Sequence, residues 1–313
     1  MTDRRRQRSA RSDQAERPSP EPIEPGSERY WLARHAVSPR KHLGQNFLLD
    51  QQLIELIVER GAVRPGDVVV EVGPGGGALT HALLRAGATV FAIEKDLAVA
   101  PLLEERFRDE ITAGRLSLRF EDVLAVPLEV LPPRASLFGN LPYSITTPIL
   151  EWAGRRRDRF SRAVVMIQRE VGERILASPG GKEYGSLTVF LGAQAECRAL
   201  VRVGPAAFWP RPAVDSMVLE LRFVEPPPWS GEIARLERVL RAAFGQRRKT
   251  LENALAHGLG SDKEAIRTIL LELGLDPGAR AERISIEQFG RLTNRLFERL
   301  PIAIRGAEPE SEA

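Results

Sequence analysis

An apolar run that leads straight into a cluster of glycines leaves a chain few folds to choose from. Asp67 to Val72 (DVVVEV) supplies the run, and Gly73-Pro74-Gly75-Gly76-Gly77 follows at once. The run has the length of a strand buried on both faces and is too short for a buried helix. The glycines let the backbone turn tightly and pass close to a ligand. A helix is predicted from Gly77 to Ala86. The pattern then repeats, with strands at Thr89 to Glu94, Leu116 to Glu121, Ser136 to Asn140 and Ala163 to Gln168, and a helix from Leu97 to Phe107. Strands alternating with helices predict an α/β fold, a mostly parallel, doubly wound sheet with helices on both faces. Two later strands, Ala195 to Val203 and Ser216 to Phe223, have no helix between them and predict an antiparallel hairpin at one edge.

Ahead of the first strand, Asp50 is placed to cap a helix whose Leu53, Ile54, Ile57 and Val58 share one face. Beyond Pro226-Pro227-Pro228 the sequence reads as helical to about Leu300, punctuated by turn residues at Gly260-Ser261-Asp262 and Leu275-Asp276-Pro277-Gly278. The expected organisation has four parts: a disordered Arg/Pro-rich arm over residues 1–40, an α/β domain over 41–225, a small all-helical domain over 226–304 and an acidic tail over 305–313. With 313 residues, 43% of them hydrophobic, the chain can bury a sizeable core.

Several classes are set aside by composition. No apolar run reaches the length of a membrane span, and no apolar leader precedes the domain. Cys197 is the single cysteine, which precludes an internal disulfide and fits a reducing, cytoplasmic setting. The four histidines are scattered, so no metal site is expected. A net charge of +3 permits a polyanionic partner without requiring one.

In open parallel sheets, ligands bind beyond the carboxyl ends of the strands, where Gly73 lies. Glu94 ends the second strand, and a carboxylate there can accept both ribose hydroxyls of a nucleoside. Gly73, Gly75 and Ala78 also satisfy the dinucleotide pattern G-x-G-x-x-G/A, so a nicotinamide-dependent dehydrogenase fits this stretch equally well. Two further motifs argue against it. Asp122, closing the third strand, is placed to accept a hydrogen bond from the exocyclic amine of an adenine. Gly139-Asn140-Leu141-Pro142-Tyr143 follows the fourth strand and carries a more specific chemistry. An adenine amine is a poor nucleophile because its lone pair is delocalised into the ring. Acceptors on its two N–H groups favour the tetrahedral state that can attack a methyl group. The Asn140 side-chain oxygen and the Leu141 carbonyl can supply them. Pro142 fixes the turn and adds no competing N–H. Tyr143 offers an aromatic face for a base taken out of its stack.

Lys41-His42-Leu43-Gly44-Gln45-Asn46-Phe47-Leu48, the Gly73 turn and Asn140-Leu141-Pro142-Tyr143 together resemble the ribosomal RNA adenine dimethyltransferases. Phe208-Trp209-Pro210-Arg211-Pro212-Ala213-Val214-Asp215-Ser216 and Ala243-Phe244-Gly245-Gln246-Arg247-Arg248-Lys249-Thr250 extend the resemblance to the branch acting on 16S rRNA, the kasugamycin-sensitivity dimethyltransferases. The match runs from about residue 40 to 300. It implies a Rossmann-like class I methyltransferase domain, a helical second domain and S-adenosylmethionine as methyl donor, with no metal. Carried over by position, it implies donor contacts from Asn46, Leu48, Gly73, Glu94, Asp122 and Asn140. The implied substrate is a pair of adjacent adenosines in the hairpin near the 3′ end of 16S rRNA, within an assembling small subunit, met by a monomeric enzyme. Arg247, Arg248 and Lys249, opening a helix of the second domain, are expected to meet RNA phosphates. Two rivals share many of these features: a large-subunit rRNA methyltransferase conferring antibiotic resistance, and a mainly non-enzymatic assembly factor.

Overall fold

The computed structural model describes residues 24–40, 43–246 and 248–304. Its centre is a seven-stranded sheet built from β2 (Val68–Val72), β3 (Thr89–Glu94), β4 (Leu116–Phe120), β5 (Ala135–Asn140), β6 (Phe160–Gln168), β7 (Glu196–Val203) and β9 (Ser216–Arg222), in the order β4-β3-β2-β5-β6-β9-β7. The pairs β2–β3, β3–β4, β2–β5 and β5–β6 are parallel; β6–β9 and β9–β7 are antiparallel. The predicted antiparallel edge is present. Its last strand, β9, inserts between β6 and β7, an order that local pattern does not encode. The direction of winding reverses between β2 and β5, which opens a crevice at their carboxyl ends.

Side chains alternate across the sheet with period two, so each strand feeds both faces. Val69 and Phe138 point to one face, against Ile54 and Ile57 of α2 (Gln51–Arg60) and Leu83 of α3 (Ala78–Arg85). Val70 and Leu137 point to the other, against α6 (Thr146–Arg155) and α8 (Ser186–Gln194). Asp50 caps α2 as its position predicts, its Oδ1 accepting from the Leu53 N–H at 3.0 Å. The C-terminal helices α9 (Ile233–Phe244), α10 (Leu251–Leu259), α11 (Lys263–Glu272) and α12 (Ile286–Arg299) join the second cluster. In α12, Phe289, Leu292 and Leu296 form the buried stripe, and Ser285 and Gln288 close a reciprocal capping box at its start. The helical unit therefore shares a continuous apolar cluster with the sheet. No helix is long and apolar enough to cross a membrane among the described residues.

The amino-terminal side differs from the expected disordered arm over residues 1–40. Residues 24–40 carry helix α1 (Glu28–Arg34), capped by Ser27, whose hydroxyl accepts from the Tyr30 N–H at 3.2 Å. A seven-residue helix has little stability of its own. Docking supplies it: Leu32 and Val37 are buried in the cluster beneath α2 and α3, and Glu28 is ion-paired in the interior. These contacts are remote in sequence, which is why a Pro- and Arg-rich composition gave no sign of them. The rest of that predicted arm, residues 1–23, and the tail from 305 lie outside the described residues.

Candidate active site

A cleft lies at the reversal point, where open parallel sheets bind their ligands. Its floor is the turn after β2. Gly73 and Gly75 have φ of +72° and +57°, which an L side chain would strain. A Cβ on Gly73 would meet no atom within 4 Å, so the space above this residue is open to a ligand.

Asn46, Leu48, Gly73, Asn140, Leu141, Pro142 and Tyr143 all line this one cleft, although they come from three separated stretches. The first stretch is held by long-range bonds. Gln45 Nε2 donates to Asp96 Oδ2 at 2.9 Å, just past β3. Phe47 and Leu48 form β1 (Phe47–Leu48), which pairs antiparallel with β8 (Phe208–Trp209), so two of the sequence motifs meet in one small sheet. The rings of Phe47 and Trp209 stack at 6.1 Å between centroids, and Phe47 also flanks Gly75.

Asn140 is the last residue of β5. Its Nδ2 donates to the Asn46 carbonyl at 2.7 Å, which fixes the amide's orientation and commits its donor end. The acceptor oxygen is left for another partner. The Leu141 N–H donates to the Met166 carbonyl at 3.0 Å, and the Thr146 hydroxyl donates to the Pro142 carbonyl at 3.0 Å, so the turn is braced on both sides. Behind it the Tyr143 hydroxyl and Ser216 Oγ share a hydrogen bond of 2.7 Å. Ser216 is fully buried at the start of β9, so the Phe208 to Ser216 stretch positions the ring of Tyr143. Burial pushes the Tyr143 phenol up from its ordinary value, which leaves it neutral and suited to stacking.

Glu94 and Asp122 stand outside the lining of this cleft. Glu94 Oε2 accepts from the Gly75 N–H at 3.1 Å and Oε1 from the Asp96 N–H at 2.8 Å. The carboxylate thus ties the end of β3 to the glycine turn. Burial pushes its pKa up, and those amides oppose the rise. Asp122 Oδ1 accepts from the Leu124 N–H at 3.0 Å, and Oδ2 meets Lys95 Nζ at 2.7 Å. The Lys95 hydrogen bond holds the Asp122 carboxyl below its usual range. Among the described residues, no group of three or more His, Cys, Asp or Glu side chains is arranged to hold a metal ion.

Two acids in the lining were not singled out from sequence. Glu71 faces the cleft from β2, is 1% exposed and accepts from the Thr80 hydroxyl at 2.7 Å. Burial pushes its carboxyl up to about 8. A lone charge in an otherwise apolar strand (VVVEV) was the available signal. Glu28 reaches the cleft from α1, and nothing in the local sequence points to it. On the helical side, Arg248 and Lys249 are exposed in the turn between α9 and α10, ahead of the first residue of α10; Arg247 lies outside the described residues.

Comparison with known proteins agrees with this geometry. The ribosomal RNA adenine dimethylase model matches residues 36–298. A ribosomal RNA small subunit methyltransferase A from Desulforapulum autotrophicum is 39% identical over 270 residues, covering 85% of this chain and 95% of that protein. Its namesake from Moorella thermoacetica is 40% identical over 286 residues, covering 87% and 97%. Among solved structures, a dimethyladenosine transferase from Plasmodium falciparum superposes with a TM-score of 0.70 at 24% identity, covering 81% of this chain and 98% of that one. A 23S rRNA methyltransferase, ErmE, gives 0.60 at 27% identity, covering 80% and 100%. The parallel sheet with its antiparallel edge is the class I methyltransferase fold, and the chain belongs to the ribosomal RNA adenine dimethylase family.

Proposed function

We propose that the protein transfers methyl groups from S-adenosylmethionine to N6 of two adjacent adenosines in the hairpin near the 3′ end of 16S rRNA, two to each, during small-subunit assembly. The observation that carries this reading is the fixed amide of Asn140. The residue lines the cleft and its donor end is bound to the Asn46 carbonyl, which leaves its oxygen as the pre-set acceptor for an amine N–H. An acceptor held before the substrate arrives needs no reorganisation at the moment of reaction.

The cleft fits a cationic donor. Glu28 and Glu71 line it, and the open side of Gly73 leaves room for an extended ligand along the main chain. Asn46, Leu48, Gly73 and Asn140, which line the cleft, would hold that donor, and Glu94 and Asp122, beyond its lining at the ends of β3 and β4, would meet its ribose and its adenine where the donor extends past the glycine turn. When bound, it supplies an activated methyl group on sulfur. The chain's own residues supply position. Asn140 Oδ1 and the Leu141 carbonyl draw on the two N–H groups and turn the N6 lone pair toward the methyl. Tyr143, held by Ser216, stacks the extruded base. As the new N–C bond forms and the old S–C bond breaks, the nitrogen becomes acidic and sheds its proton to water, so no dedicated base is required.

The test offers unmethylated small and large subunits separately with radiolabelled donor and digests the RNA to nucleosides. Dimethyladenosine from the small subunit alone is expected. Label in the large subunit instead would transfer the protein to the activity named for ErmE, whose fold it shares. Donor binding without label in either would leave an assembly factor.

Arg248 and Lys249 supply the RNA contact in this reading, from an exposed turn. Reversing both charges should weaken binding to the small subunit and flatten the dependence of log K on log salt by about 2, one counterion per lost phosphate contact. A salt slope equal to that of the unaltered protein would remove this turn from the interface.

A further inference from the structure

Helix α1 lies wholly ahead of the residues matched by the family model, which begin at 36, yet it completes the donor cleft. Its Glu28 carboxylate sits against the glycine turn so closely that a Cβ on Gly76 would collide with it. The backbone N–H groups of Gly76 and Ala78, at the start of α3, face the same carboxylate. Arg106, at the end of α4 (Ala100–Arg106), donates to Glu28 Oε2 at 2.6 Å and also to the Gly76 carbonyl. Both side chains are at most 7% exposed, and the guanidinium packs over the rings of Trp31 and Phe107.

The start of a helix that follows a glycine turn is an anion seat, since free N–H groups and the helix dipole both favour negative charge. In dinucleotide-binding folds that seat takes a pyrophosphate. Here a carboxylate of the chain itself already fills it. Burial pushes the Glu28 carboxyl up, while the permanently charged Arg106 and the two amides oppose that rise.

We propose that Glu28 is a selectivity residue of the donor site: it occupies the anion seat at the start of α3 and neutralises Arg106, so the cleft favours a cationic sulfonium and rejects pyrophosphate-bearing nucleotides. This rests on the donor reading given above. It also accounts for how a turn that satisfies the dinucleotide pattern serves a different ligand. Without Glu28, Arg106 would stand as an unopposed buried cation beneath the turn, repelling a sulfonium and attracting phosphate.

The test is equilibrium binding of S-adenosylmethionine, its neutral thioether product S-adenosylhomocysteine, and ADP to the full chain. Unaltered protein, Glu28→Gln and the double variant Glu28→Gln/Arg106→Gln are compared, each checked for a cooperative melt. Glu28→Gln should lose about tenfold in its preference for the sulfonium over the thioether, and should bind ADP about tenfold more tightly. The double variant, which removes both charges, should recover the preference. A merely structural Glu28 would weaken sulfonium and thioether in parallel, and that result overturns the proposal while leaving the donor reading intact. So would a double variant that folds but does not recover the preference. Unaltered protein that binds neither sulfonium nor thioether overturns the donor reading, and this proposal with it.

Discussion

Asn140→Ala should lower kcat for methyl transfer by at least about a hundredfold at saturating donor, the scale seen when a pre-set hydrogen-bonding group is removed from a reacting centre. The protein should still fold. Alanine keeps the backbone of β5, whose ladder to β6 runs through the main chain, and gives up one side-chain bond, to the Asn46 carbonyl. That bond is worth about 1 kcal/mol, small beside a buried core of this size. Single-turnover rates on unmethylated small subunits, with a thermal melt alongside, separate the possible roles. If Asn140 orients N6, the loss persists however much donor is added, because the acceptor is needed only as the amine becomes tetrahedral. A loss that vanishes at high donor concentration would confine Asn140 to donor binding. Near-normal turnover would end the acceptor role altogether.

Asn140 could be singled out from sequence because its chemistry is contained in neighbouring residues. The acceptor, the second carbonyl, the rigid turn and the aromatic face are consecutive, and the turn follows a strand that announces itself. The glycine turn was legible for the same reason: apolar run, glycines and helix adjoin one another. What could not be read lies in pairings between remote segments. Phe47 and Leu48 belong to a strand only because Phe208 and Trp209 lie alongside them. Placing β9 between β6 and β7 depends on hydrogen bonds to both neighbours, and a hairpin reading cannot supply that order. Helix α1 illustrates the limit most sharply. Glu28, Arg29 and Arg34 read as part of a disordered arm, and the helix forms because Leu32 and Glu28 find partners in the folded domain. The same ion pair brings a functional carboxylate into the cleft, so the missed element and the missed residue share one cause. Asp122 marks the reverse case. Its place at a strand end was legible, but its pairing with Lys95 was not, and any contact with a donor adenine has to share the carboxylate with that lysine.

Glu71→Gln should stabilise the protein at alkaline pH. Glu71 is buried within β2, and burial pushes its pKa from 4.5 to about 8. In the unfolded chain the same group titrates near its ordinary value. Between these two values the folded protein holds a proton that the unfolded chain has released. Stability therefore falls as pH rises through that window and levels off above about 8. The accumulated loss reaches roughly 5 kcal/mol by the top of the window. Glutamine keeps the shape and can still accept from the Thr80 hydroxyl, yet has no charge to desolvate. Melting temperatures of the two proteins should nearly coincide below pH 4.5 and diverge steadily above it, with the variant higher by roughly 10 °C or more at pH 8. Curves that stay parallel across the whole range would mean that Glu71 is not held protonated in the fold. The sign of the effect bears on function as well. A buried acid that weakens the fold at physiological pH is kept against stability, and Glu71 lines the cleft where a cationic donor would lie. A bound cation would favour the ionised form, so donor affinity in the unaltered protein should rise with pH through the same window while the glutamine variant stays flat. Equal pH dependence in both proteins would separate Glu71 from the donor and leave its cost to the fold without a compensating role.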